Sequence, residues 1–177
     1  MQINGHVYPE IDGQNIGQTF KNPRLVYRNL GKGQFKDVSS ELGPGISERF
    51  SSRGAAFGDY DNDGDVDVLV LNMNDLPSLL RNDGGNKQNW IKIKLIGTKC
   101  NRTAIGARVR VLTGNHAQMD EVHSGSSVMS QSDLRLHFGL GSLKTAKVEV
   151  LWPSGSRQIL NDVAADQFLK IREPERP

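Results

Sequence analysis

The segment from Asp59 to Asp67 reads DYDNDGDVD and carries five aspartates in nine residues. Neighbouring carboxylates repel one another, so such a cluster either stays solvated and mobile or holds a positive partner. The formal net charge of the 177-residue chain is only +2, so the negative charge is concentrated in this segment. Any fold of this chain must therefore place a cation at the segment or leave it in water.

The spacing of these aspartates is typical of a calcium-binding loop. Asp59, Asp61 and Asp63 followed by Gly64 give the pattern D-x-D-x-D-G, in which alternate side chains of a tight turn point at one hard cation. Glycine permits the sharp bend at the sixth position. An EF-hand would place a bidentate glutamate at the twelfth position, where this chain has Val70, so the loop is not an EF-hand.

The residues around the loop favour two strands over two helices. Apolar residues alternate at Val66, Val68 and Val70, so the loop is predicted to join the strands of a hairpin. A carboxylate at the ninth position, Asp67, then replaces the missing glutamate. We predict a Ca²⁺ site formed by the side chains of Asp59, Asp61, Asp63 and Asp67 and by the backbone carbonyl of Asp65. The Asp65 side chain is expected to face water. The alternative is a solvated turn without a metal, because Asp-Gly is a common turn dipeptide.

The rest of the chain predicts an all-β protein, because helical periodicity is scarce and short alternating runs bounded by Gly, Asn, Asp and Ser recur. Strands are expected at residues 25–29, 34–38, 53–57, 66–71, 79–82, 90–96, 107–113, 118–123, 135–138, 147–152 and 168–171. The turn Pro153-Ser154-Gly155 is expected to lead into residues 157–160 and close a hairpin.

Composition excludes several classes of protein. The basic residues Lys92, Lys94, Arg108 and Arg110 fall on alternating strand positions, which is typical of a solvated sheet face, and no basic patch interleaved with aromatic residues indicates a nucleic-acid partner. The single cysteine, Cys100, cannot form an internal disulfide. No apolar run has the length of a membrane span, and the first residues lack the pattern of a signal peptide.

An internal repeat and a change of character divide the chain. Arg28-Asn29 in the first copy aligns with Arg81-Asn82 in the second. After Asn89 the strands alternate more regularly, which is typical of a half-buried sandwich. We therefore predict a repeat region at 1–86 and a second β domain at 87–177. Two partial repeats cannot bury each other's faces, so the chain is expected to be the C-terminal part of a longer protein.

The sequence resembles the FG-GAP/VCBS repeat proteins that end in an ASPIC/UnbV domain, the cartilage acidic protein group. The first half matches through YRNLGKGQFKDVS and AAFGDYDNDGDVDVLVLN, and the second half matches through GARVRV, SGSSVMSQSDLRLHFGLG and VEVLWPSG. The resemblance implies a calcium hairpin of the integrin type in the last blades of a truncated β-propeller, followed by a small antiparallel β-sandwich or barrel-like domain. Missing blades would leave strand edges exposed, so self-association through residues 20–86 is expected.

The function expected from these features is a non-enzymatic, calcium-binding module for adhesion or ligand recognition. Its partner would be a protein or a carbohydrate, with no nucleic acid, and its setting would be extracellular, periplasmic or at the cell surface. One alternative is an enzyme or an accessory of a biosynthetic pathway, as the UnbV name implies. A hydrolase of this kind could use His123 and Asp133 with Ser126, Ser127 or Ser130, although no G-x-S-x-G motif is present. Another alternative is a purely structural propeller cap, which predicts a second domain without a pocket.

Overall fold

The structure is a computed structural model that describes residues 1–175, and its regular elements are almost all strands. The strands are β1 (Tyr27–Gly31), β2 (Gln34–Asp37), β3 (Ser52–Gly58), β4 (Asp67–Asn72), β5 (Ser78–Leu80), β6 (Asn89–Ile96), β7 (Arg108–Thr113), β8 (His116–Glu121), β9 (Leu136–Gly141), β10 (Thr145–Leu151), β11 (Arg157–Ala164) and β12 (Gln167–Arg172). The helical segments are short, namely α1 (Pro44–Ser47) and 3-10 turns at Pro9–Gly13, Ser39–Glu41 and Gly85–Lys87. The predicted all-β class is confirmed.

The described contacts divide the chain into two compact units. The first unit contains residues 1–57, 67–81 and 127–131, and the second contains residues 58–66, 82–126 and 132 onwards. The aspartate-rich loop at 58–66 therefore groups with the second unit, although the predicted boundary puts it in the first domain. The division into 1–86 and 87–177 stays a prediction, and its last two residues lie outside the described part of the chain.

The first unit contains a three-stranded sheet in the order β3-β4-β5 and a separate hairpin of β1 and β2. The loop at 58–66 connects β3 to its sheet neighbour β4, so the prediction that it joins two paired strands is confirmed. The buried guanidinium of Arg24 connects several segments of this unit. It donates to the Ser78 hydroxyl at 2.8 Å and to the Gly45 carbonyl, and it lies over the Phe50 ring at 4.8 Å. Hydrogen bonds to neutral groups make its burial tolerable.

The second unit is a sandwich of two open sheets, with strand orders β11-β10-β7-β8 and β12-β6-β9. Alternate residues of both sheets point inward and form one continuous apolar core. Ile91 and Ile93 of β6, Val109 and Val111 of β7, and Val148 of β10 are completely buried. The predicted hairpin after Pro153 is confirmed, because β10 and β11 pair from Leu151 and Arg157.

One strand pair departs from the antiparallel arrangement predicted for this domain. β12 runs parallel to β6, with Lys170 beside Lys94 and Phe168 beside Lys92. The pair is parallel because the chain reaches β12 only after traversing both sheets, so no hairpin links it to β6. As a result, Lys92, Lys94, Phe168 and Lys170 share the outer face of one sheet.

A buried carboxylate fixes the loop that follows β6. Glu173 is 1% exposed, and its Oε2 accepts backbone N–H groups from Thr98, Lys99 and Cys100 at 2.8–3.0 Å. The Ser154 hydroxyl donates to the other oxygen. Burial opposes the charged form, but the Ser154 and backbone hydrogen bonds outweigh it and hold the pKa of Glu173 well below its usual range. The end of β12 is thereby tied to the loop between β6 and β7.

Candidate metal centre

Three of the five predicted carboxylates come together in the loop between β3 and β4. Asp59, Asp61 and Asp67 each offer one oxygen, and these oxygens all lie within 4.8 Å of one another. The three residues belong to nine consecutive positions, so the grouping is a property of the local chain. Asp59 and Asp67 are buried, whereas Asp61 is exposed. Oxygen donors at this separation fit a hard cation such as Ca²⁺.

Backbone hydrogen bonds to the first aspartate shape the loop. The two carboxylate oxygens of Asp59 accept the N–H groups of Asp63 at 3.1 Å and Gly64 at 3.2 Å. Asn62 and Gly64 have φ values of 59° and 99°, in the left-handed region that turns the chain tightly. These contacts orient the Asp59 carboxylate before any metal arrives.

Gly64 is required for a second reason, because the loop lies directly on Trp90. A Cβ atom at position 64 would come within 2.3 Å of the Trp90 ring. Trp90 is 9% exposed and also meets the Phe168 ring edge-on at a centroid distance of 5.2 Å. The Trp90 ring therefore lies directly beneath the loop and supports it.

A buried lysine pairs with the first aspartate of the loop. Lys92 Nζ lies 3.1 Å from Asp59 Oδ2, and the two side chains are 1% and 0% exposed. The prediction that Lys92 belongs to a solvated sheet face is therefore wrong, because the loop covers this end of the sheet. Burial lowers the pKa of the neighbouring His137, and the charge of Lys92 lowers it further. On β6, the cation that contacts Asp59 is Lys92.

Arg135 holds the loop from the start of β9. Its guanidinium donates to the backbone carbonyl of Asp59 at 2.9 Å and to the side-chain oxygen of Asn62 at 2.7 Å. It also pairs with Asp133 at 2.6 Å, which fixes its orientation. Lys92 and Arg135 therefore both bring positive charge to the loop beside Asp59.

The two remaining predicted residues occupy different environments. Asp63 is exposed and accepts the N–H of Asp65 at 2.9 Å, outside the group of three converging carboxylates. The expectation that the Asp65 side chain faces water is wrong. Asp65 is 1% exposed, and its carboxylate accepts the N–H of Gly85 at 3.0 Å. This contact ties the loop to the 3-10 turn that precedes β6.

Asp133 and Ser126 of the alternative hydrolase are engaged in other side-chain contacts. Both oxygens of Asp133 accept from Arg135, one from its backbone N–H and one from its guanidinium. The Ser126 hydroxyl donates to Ser132 at 2.9 Å, and Ser127 and Ser130 form a β-bridge with each other. Asp133 therefore acts as the partner of the arginine that holds the loop.

Comparisons with known proteins match both halves of the chain. Residues 97–177 match the family described as ASPIC and UnbV, and residues 17–70 match the FG-GAP-like repeat. The chain is similar to Cartilage acidic protein 1 of Mus musculus, with 26% identity over 172 residues, which is 93% of this chain and 26% of the relative. The Homo sapiens protein of the same name gives 26% identity over 93% of this chain and 25% of the relative.

A third relative, Cartilage acidic protein 1 of Xenopus tropicalis, is 31% identical over 155 residues, which is 82% of this chain and 23% of that protein. The chain therefore spans about a quarter of the length of the curated relatives that it matches.

Proposed function

We propose that this chain, which joins an FG-GAP-like repeat to an ASPIC/UnbV domain, is a non-enzymatic, calcium-stabilised β module for adhesion or ligand recognition outside the cell. The observation that carries the proposal is the convergence of Asp59, Asp61 and Asp67 within 4.8 Å. The side chain of Asp63 and the backbone carbonyl of Asp65 would complete the ligand set. The proposed role of the metal is architectural.

In this role the ion neutralises the repulsion between the loop carboxylates and stabilises the connection between β3 and β4. The hydrogen bonds from Asp63 and Gly64 to Asp59 support it, because a ligand already oriented loses less conformational entropy on binding. Extracellular calcium modules typically bind at about 0.1–1 mM, so such a site is filled outside cells and empty in the cytosol. This favours the proposed extracellular setting.

No helix among residues 1–175 is long and apolar enough to cross a membrane.

Calcium is expected to raise the melting temperature of the chain, and EDTA is expected to reverse the shift. A ligand that binds only the folded state at a hundredfold excess over Kd stabilises it by about 2.7 kcal/mol. Differential scanning calorimetry with and without millimolar CaCl₂ measures this shift.

Asp61→Asn is the matched control for the calcium effect. Asp61 is an exposed member of the carboxylate group, so its replacement should leave the metal-free protein as stable as the wild type and remove most of the calcium-dependent shift. An equal calcium shift in Asp61→Asn and wild type would contradict the assignment.

We also propose that the chain self-associates through residues 20–86, with a second copy of the chain as partner. Leu69 and Leu79 are neighbours across β4 and β5, and Leu71 lies on the same face as Leu69. Their exposed fractions are 44%, 50% and 49%. A contiguous apolar sheet face of this kind is typical of an interaction surface.

Light scattering at high protein concentration is expected to give a mass above that of the monomer, and Leu71→Lys with Leu79→Lys should restore the monomer. Ile159→Lys, at an apolar position that is 57% exposed in the second unit, is the control and should leave the assembly intact. A wild-type chain that stays monomeric at every concentration would contradict self-association.

A further inference from the structure

A groove in the second unit is lined by an excess of positively charged side chains. It has a volume of about 1180 Å³ and follows the outer face of β6 and β12 beside the loop at 97–103. Among residues 1–175, six Lys or Arg side chains line it against two acidic ones, whereas the net charge of the whole chain is only +2. The groove also contradicts the structural-cap alternative, which predicted a second domain without a pocket.

Four of these cations form no ion pair with any of residues 1–175. They are Lys94, Arg102, Lys170 and Arg172, and all four are exposed. Lys94 and Lys170 lie side by side across β6 and β12, where like charges destabilise a sheet. The other sheet of the same unit behaves differently, because Arg108 pairs with Glu121 there and both Arg110 and Lys147 pair with Glu149. The unbalanced charge is thus specific to one face.

The groove is fixed in shape before any ligand binds. The opposite sides of its two strands pack into the core through Ile93, Leu95 and Ile171. The loop that carries Arg102 is held in place by Glu173, whose carboxylate accepts three backbone N–H groups of that loop. Asn101 holds the same loop, since its side chain both accepts from the N–H of Ile105 and donates to its carbonyl at 2.8 Å. Because the backbone of the groove is already held in place, binding an extended polyanion does not cost the entropy of ordering it.

From this array we infer that the groove is a binding site for a sulfated polysaccharide. Arg172 follows Lys170 by two residues on the same face, about 7 Å along the strand, and Lys94 lies about 5 Å away on the next strand. Such a two-dimensional array suits a linear chain that carries repeated sulfate groups. Phe168 is the one aromatic ring among the described residues of the groove lining, and Lys92, Arg135 and Trp90 already pack against it. A base-stacking platform for nucleic acid is therefore missing from the lining.

The inference depends on the proposed function only for the extracellular setting, which favours sulfated sugars as the polyanion. Its test is the binding of a size-defined heparin oligosaccharide to the full chain by isothermal titration calorimetry, at about 0.15 M salt. The groove variant Lys94→Gln with Lys170→Gln is expected to raise Kd about tenfold or more and to lower the slope of log K against log salt by about two. The control variant Arg108→Gln with Lys147→Gln removes the same charge from the other sheet and should bind like the wild type.

Four results would overturn the inference: no binding of the heparin oligosaccharide to the wild type, equal weakening in the two variants, equal binding of fully desulfated heparin, or stronger binding of a single-stranded oligonucleotide of equal charge. Circular dichroism of each variant verifies that the fold is retained. The calcium-dependent shift in melting temperature is measured on the same samples. If the calcium-dependent shift is present but heparin does not bind, the groove assignment is wrong and the metal site is unaffected. If heparin binds but the calcium-dependent shift is absent, the metal site is wrong and the groove assignment is unaffected.

Discussion

Lys92→Met is expected to destabilise the metal-free chain by about 3–5 kcal/mol, because it leaves a buried carboxylate without its counter-ion. The Asp59 side chain is 0% exposed, and Lys92 is the ammonium group 3.1 Å from it. Bound calcium would supply positive charge to the same carboxylate, so the loss of stability should be smaller in millimolar CaCl₂ than in EDTA. Chemical denaturation of both proteins in the two buffers measures the difference.

Because binding and folding are thermodynamically linked, a difference in destabilisation between the two buffers also implies a difference in calcium affinity between the two proteins. If calcium reduces the destabilisation by about 1.4 kcal/mol, Lys92→Met must bind calcium about tenfold more tightly than the wild type. Lys94→Met is the matched control, since Lys94 lies two residues along the same strand face but is exposed, and it should change stability by less than about 0.5 kcal/mol. Equal destabilisation of Lys92→Met in EDTA and in calcium would show that the Lys92 charge and the metal do not act on the same carboxylate.

Glu173→Gln is expected to destabilise the chain by about 2–4 kcal/mol at neutral pH, because hydrogen bonds to a buried charged group contribute more than those to a neutral amide. The substitution keeps the shape of the side chain while removing the charge that three N–H groups and the Ser154 hydroxyl stabilise. Urea denaturation at pH 7 measures the effect. Glu175→Gln, two residues along and exposed, is the control and should stay within about 0.5 kcal/mol of the wild type.

The pH dependence of this effect has a definite sign. Because the folded-state pKa of Glu173 lies below its ordinary value of 4.5, its contribution is fully present above pH 4.5 and is lost as the pH falls through the folded-state pKa. The difference in free energy of unfolding between wild type and Glu173→Gln should therefore be constant above pH 4.5 and shrink in stronger acid. A difference that grows on acidification would contradict this description of Glu173.

Local patterns in the sequence predict the loop and most of the strands. The Asp59, Asp61, Asp63 and Gly64 spacing predicts a tight turn with side chains on one side, because this geometry depends only on neighbouring residues. The alternation through Arg108, Val109, Arg110 and Val111 predicts β7 for the same reason, and the structure buries both valines. The hairpin after Pro153 also follows from residues close in the chain.

Contacts between distant segments could not be predicted in this way. Lys92 and Lys94 stand two apart in the run WIKIKL and have the same local pattern, yet the first is buried against Asp59 and the second is exposed. What separates them is the loop at 58–66, which covers one end of the sheet and not the other. Asp65 turns inward because Gly85, 20 residues later, offers its N–H. Glu173 similarly meets the loop at 98–100 only after β12 has joined β6.

The most direct test of the proposed metal site is a crystal structure of the chain grown in millimolar CaCl₂. We expect one anomalous difference peak at about 2.3–2.6 Å from oxygens of Asp59, Asp61 and Asp67. The side chain of Asp63 and the carbonyl of Asp65 are expected to complete the coordination shell of the ion. Lys92 is expected to keep its contact with Oδ2 of Asp59. A well-ordered loop whose carboxylates point into solvent, with no peak between them, would contradict the site.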